Sequence, residues 1–160
     1  MSSTAALDHS PSPTLDRSRA PASLAESGAA RYAVPVARAF LAAIFLMAGF
    51  GHFSQPVIAM AAAQGVPLAN IAVPLSGILS LAGGLSVLLG YRARLGALLL
   101  VAFLVPVTLA MHRFWTVSDP LWHQLHQVMF MKNLGLLGGA LLVFAFGAGP
   151  LSLDARRGRA

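Results

Sequence analysis

The sequence predicts an all-α protein, a polytopic membrane four-helix bundle with both ends in the cytoplasm (N-in and C-in). Three observations carry this prediction. Between Arg38 and Arg92 lie 53 residues without one Asp, Glu, Lys or Arg. A water-soluble domain needs charge on its surface, and this stretch supplies none. The composition agrees, with 57% hydrophobic residues and 10% charged, against roughly 25% charged in soluble domains. Four apolar segments, about 34–53, 68–90, 95–114 and 126–147, are each close to the ~20 residues that cross hydrocarbon. Only helices or closed barrels satisfy backbone groups in lipid, and four segments of this length are too few and too long for a barrel.

The elements follow in order. Residues 1–30 are rich in Ser, Pro, Ala, Asp and Arg and offer no apolar face, which predicts a disordered cytoplasmic tail. The tail lacks the basic start and immediate apolar run of a secretory signal. Ala59-Met60-Ala61 has an A-x-A pattern but lies too far past the first apolar run to mark cleavage. The transmembrane domain is expected over 31–153. Between the first two spans, Pro56–Gln64 reads as a short interfacial helix ended by Gly65. A basic cytoplasmic tail is expected at 154–160.

Orientation is read from Lys and Arg near the span ends. Arg17, Arg19, Arg31 and Arg38 precede the first span, Arg92 and Arg94 separate the second and third, and Arg156, Arg157 and Arg159 follow the fourth. With an even number of spans these groups share one side, predicted to be cytoplasmic. The net charge of +6 therefore reflects topology rather than nucleic-acid binding, since no aromatic-interleaved basic patch is present. The implied location is a bacterial inner membrane, with the lipid bilayer as the obligatory partner. The chain has no Cys, which removes disulfides, thiolate metal sites and thiol catalysis.

Small residues mark expected helix contacts, because they let backbones approach in lipid. Ser76, Ser80 and Gly84 form a stripe on the second span, and Gly135 and Gly139 a GxxxG pair on the fourth. Pro106 is expected to bend the third.

Four of the five histidines fall at the extracytoplasmic end: His52, His112, His123 and His126. Trp115 and Trp122 flank the same connection, where aromatic belts sit. Lys132 lies about 9 Å deeper than His126 at 1.5 Å per residue, and a charge there costs a few kcal/mol without a partner. A helical wheel places Lys132 with Gly135 and Gly139, so it is expected to point into the bundle. These placements predict one cavity lined by His52, His112, Trp115, His126, Met129, Lys132 and Asn133. The bland reading is that these are interfacial anchors and a snorkelling lysine. Met47, Met60, Met111, Met129 and Met131 occupy the same half; His with Met suits Cu(I) or haem iron, although Met also fills gaps in bundles. His112, His123 and His126 are the candidate metal ligands. No sequence motif of a known catalytic centre is visible.

The chain resembles the DoxX family of small four-helix inner-membrane proteins. The stretches that carry the resemblance are Ala37-Arg38 through Met47-Ala48-Gly49, Gly65-Val66-Pro67, Gly83-Gly84-Leu85 with Gly90, Arg92–Arg94, His112-Arg113-Phe114-Trp115, Phe130-Met131-Lys132-Asn133-Leu134, Gly138-Gly139 and Gly147. It covers roughly residues 34–153. The resemblance implies similarity to the membrane subunit of thiosulfate:quinone oxidoreductase, and hence a subunit or anchor of a quinone-linked redox complex or a homo-oligomer. His52 and Ser80 stand where that family often has a lysine and an acid. Two other classes stay open: a copper or small-solute binding or transport component, and a purely structural subunit.

Overall fold

A bilayer offers no hydrogen-bond partners to the backbone, and the four apolar segments answer this by closing their bonds within helices. The computed structural model describes residues 28–158. In chain order it contains α1 (Gly28–Gly51), α2 (Gln55–Ala63), α3 (Ala69–Leu89), α4 (Ala93–Met111), a 3-10 turn (Phe114–Thr116), α5 (Pro120–Phe146) and α6 (Leu153–Arg157). Four stretches are long and apolar enough to cross a membrane: Arg31–Gly51, Ala69–Leu89, Ala93–Thr116 and Pro120–Phe146. The protein is an all-helical, multi-pass membrane protein. Phe40, Met47, Phe50 and Phe146 are each more than 70% exposed, as lipid-facing side chains should be.

The fourth span begins earlier than the expected residue 126. Asp119 caps α5 by accepting a hydrogen bond from the Trp122 N–H at 2.9 Å, and Pro120 occupies the first turn, where its missing N–H costs nothing. The short helix between the first two spans is present as α2, with Gly65 at φ +82° just beyond it. Nearly all of the expected N-terminal tail lies outside the described residues.

The spans form a curved row, α1 against α3, α3 against α4, α4 against α5, with α1 and α5 meeting only narrowly. Phe45, Val87, Ala97, Leu100, Phe103, Leu104 and Ala140 make the core where the four spans converge. A second cluster, Ile58, Ala61, Ala69 and Val73, holds α2 against the start of α3.

Close approach between the spans is set by glycines. At the α1–α3 crossing a Cβ on Gly77 would stand 2.8 Å from His52 Cβ and 3.0 Å from the Gly49 carbonyl. At α3–α4 a Cβ on Gly83 would meet the Gly96 carbonyl at 2.9 Å. Ser80 is fully buried and donates to the Phe45 carbonyl at 2.8 Å, and Gly84 packs on Phe45 and Leu46. Gly135 corrects the expected GxxxG contact: nothing lies within 4 Å of a Cβ built there, and only Gly139 meets α1, at Leu41. The reason is that α5 leans on α4 through Asn133 and Ala140, leaving Gly135 on an open flank.

All the described arginine clusters gather at one end, and this end is knitted together. Arg38 is only 4% exposed; its guanidinium donates to the carbonyls of Ala148 at 2.9 Å and Leu151 at 3.1 Å. Asp154 accepts from the Arg92 and Ala93 N–H groups at 2.8 and 2.9 Å, filling the donors at the start of α4, while its own N–H donates to the Gly90 carbonyl. The expected tail at 154–160 thus opens as helix α6, capped by Ser152, whose Oγ accepts from the Ala155 N–H at 3.0 Å. Arg157 lies 4.4 Å over the Tyr91 ring. Hydrogen bonding to Arg157, then the charges of Arg157 and Arg92, hold the Tyr91 hydroxyl below its ordinary pKa.

Candidate functional site

The opposite end is built differently. There the connections Gln64–Leu68 and His112–Asp119 spread the helices apart, and two cavities open between them.

The first, of about 300 Å³, lies between α3 and α4 beneath α2. Its wall is aliphatic and aromatic, including Val73, Leu79, Phe103 and Val107, and Leu75, Ala102 and Pro106 at its edge are exposed on the lipid-facing side. The polar groups are His52 and Ser76, whose Nδ1 and Oγ are 2.7 Å apart. Ser76 donates its own proton to the Val73 carbonyl, also at 2.7 Å. The hydroxyl is then an acceptor toward His52, so Nδ1 carries the proton and Nε2 keeps its lone pair. The His52 ring also packs on Phe103 at 5.4 Å.

The second cavity, of about 610 Å³, lies under the α4–α5 connection and is lined by His112, His126, Met60, Met111, Met129 and others. The two imidazole rings stand 5.8 Å apart, tilted by 54°. The Nδ1 atom of each is buried and has no hydrogen-bond partner among the described residues.

The expected single pocket is therefore two. His52 belongs to the first; His112, His126 and Met129 belong to the second; Met111 lines both. Lys132, Asn133 and Trp115 line neither. Lys132 is exposed, which corrects its inward assignment: α5 packs mainly on α4 and meets α1 only narrowly, which leaves much of its surface open. One residue further, Asn133 is 6% exposed and donates to Thr108 Oγ1 at 3.0 Å, tying α5 to α4. Trp115 is 54% exposed and packs edge-on with Phe114 and Phe130. His123 does not join the other two metal candidates. Its Nδ1 lies 3.3 Å from the Val117 carbonyl and its ring stands against Phe114. No group of three His, Cys, Asp or Glu converges among the described residues. Met47 and Met131 are exposed, at 80% and 52%.

Sequence reasoning missed the pairing of His52 with Ser76. The signal was a polar residue on each of two spans at the same expected depth, but Ser76 read as part of a small-residue packing stripe. It also missed the burial of Arg38, which read as an ordinary flanking charge.

A model of the SURF4 family matches residues 33–159. The Escherichia coli (strain K12) inner membrane protein YqjF is 29% identical over 121 residues, covering 76% of this chain and 88% of that protein. The Drosophila melanogaster Surfeit locus protein 4 homolog is 35% identical over 71 residues, covering 42% of this chain and 26% of that protein. No solved structure matches the chain. These findings overturn the resemblance to the DoxX family. The stretches that carried it (small residues at crossings, an interfacial His-Arg-Phe-Trp, glycines at helix ends) meet demands that any small helical membrane bundle must meet. The quinone-linked redox role rested on that resemblance and on a buried cation and amide, Lys132 and Asn133, beside the imidazoles. The first is overturned, Lys132 is exposed, and neither residue lines a cavity. Four apolar spans and an inner-membrane relative over most of its length make this a multi-pass inner-membrane protein, and the match over residues 33–159 makes the chain a member of the SURF4 family.

Proposed function

We propose that the chain binds a small, lipid-soluble molecule carrying a hydroxyl group, as a membrane-embedded binding or transport component rather than an enzyme. The observation that carries this reading is the first cavity: apolar walls around one oriented polar pair. Ligand sites have this make-up, mostly apolar lining with a few placed polar groups that fix orientation. Because Ser76 consumes the Nδ1 proton of His52, the pair offers an acceptor, Nε2, and selects a ligand that donates. The exposed edge at Leu75, Ala102 and Pro106 suits entry from the bilayer rather than from water.

The test is extraction of the full chain in mild detergent followed by native mass spectrometry. An apolar hydroxylated molecule is expected on the wild-type protein and not on Ala72→Phe, which fills the cavity, with His52→Phe intermediate. Thermal unfolding run in parallel separates lost binding from lost fold. If wild type and Ala72→Phe carry the same molecules in the same ratio, the reading is wrong.

A further inference from the structure

The second cavity has a donor set of its own. His112 caps α4 and His126 lies one and a half turns into α5, so two helices deliver their imidazoles to one space. Each presents a buried Nδ1 that no described residue hydrogen-bonds. A buried nitrogen without a partner forfeits the hydrogen bond it had with water, at a cost of about 1–3 kcal/mol. The two rings stand 5.8 Å apart, tilted by 54°, and their Nδ1 atoms are not bonded to each other, a spacing within which one ion can reach both imidazoles.

The rest of the wall narrows what that atom is. Met60 comes from α2, Met111 from α4 and Met129 from α5, so three helices bring thioethers to the same cavity. The one carboxylate lining it, Asp119, spends an oxygen on the Trp122 N–H as the cap of α5. Hard cations such as Mg²⁺ and Ca²⁺ need several oxygen donors, and here they are scarce. Imidazole with thioether, and no thiolate or carboxylate cluster, is a soft donor set that favours Cu(I) over the divalent ions.

We infer that this cavity binds one Cu(I) ion between His112 Nδ1 and His126 Nδ1, with thioether sulfur from the methionine wall completing the coordination. The site shares only Met111 with the cavity of the His52–Ser76 pair, and its two imidazoles do not depend on what that pair binds. It accounts for both orphaned nitrogens at once, and it gives Met60, Met111 and Met129, which line the cavity, a role that Met47 and Met131, which do not, cannot share.

The experiment is an anaerobic titration of the full chain in nanodiscs with Cu(I) alone, read by competition against a chromophoric chelator. It is repeated in air with Ag(I), a soft ion of the same charge. One ion per chain is expected, with Zn²⁺ bound far more weakly. His112→Gln and His126→Gln should each weaken binding by more than the roughly tenfold to hundredfold that loss of an outer partner costs. Met129→Leu keeps the volume and should weaken Cu(I) and Ag(I) only. His123→Gln should change nothing, since His123 is turned toward Val117. Melting curves of each variant without metal show whether it is folded. The inference is overturned if no ion binds, if Zn²⁺ binds as tightly as Cu(I), or if folded His112→Gln and His126→Gln bind as the wild type does.

Discussion

The two ends of this bundle carry different side chains, arginine and aspartate at one and histidine and methionine at the other, and put them to opposite use. At the arginine end each polar group of the clamp but Arg38 Nε has a partner: Arg38 on two carbonyls, Asp154 on two amides, Ser152 on the turn it caps. At the other end two imidazole nitrogens are buried without partners, and two cavities stand between the helices. An end whose polar groups are nearly all partnered holds the helices at fixed spacing. An end with unmet hydrogen-bonding capacity is one that something else completes. The difference divides the molecule into a fastening and a receptacle.

The comparison breaks most easily at the fastening. Ending the chain after Gly147 removes both acceptors of Arg38 and both Asp154 caps. Stability should fall by roughly 3 kcal/mol, the cost of stranding a charged donor in an apolar setting, read as a lower melting temperature in detergent. Next in size is the α1–α3 crossing that joins the two ends. Gly77→Ala forces a methyl against His52 Cβ and should cost about 1–3 kcal/mol, while Gly135→Ala, with nothing within 4 Å, should be neutral or up to about 1 kcal/mol stabilising. Comparing the two melts sharpens which glycines carry contact. Asn133→Leu removes one interhelical hydrogen bond, worth about 0.6 kcal/mol by the average for membrane proteins, and should loosen α5 without emptying either cavity. Smallest of all, Lys132→Met should leave stability unchanged, because Lys132 is exposed and lines neither cavity. It should leave Cu(I) binding equal or slightly tighter, because it removes a cation whose charge acts on His112. A large loss there would return Lys132 to the receptacle.

The four spans were legible because length and apolarity alone decide what crosses a bilayer, and α2 was legible because Gly65 and Pro67 end it. The start of α5 was within reach: Asp119-Pro120 is a cap followed by a first-turn proline, and the signal lost only to the weight given to apolar residues further on. The site was half legible. Topology brought His112, His126 and Met129 to one end, and they share a cavity. The wheel for Lys132 failed for a different reason. It gives a residue's direction around its own helix but not whether a neighbour is there, and α5 meets α1 only narrowly. α6 escaped because five residues of mixed charge carry no periodic signal; its existence depends on Asp154 finding the start of α4, 61 residues away.

The Arg38 clamp also imposes an order on biosynthesis. Arg38 enters the membrane with the first span, yet the carbonyls that receive its guanidinium belong to residues 110 and 113 positions later. Throughout insertion of the next three spans, this charge has no permanent partner and must stay toward the interface by reaching outward. Only once residues 148 and 151 have been made and delivered can it turn in and lock. A stalled or prematurely ended chain therefore carries its own mark, an unsatisfied arginine at the edge of the bilayer. Membrane quality control acting on exposed intramembrane charge could tell an unfinished copy from a finished one by that single side chain.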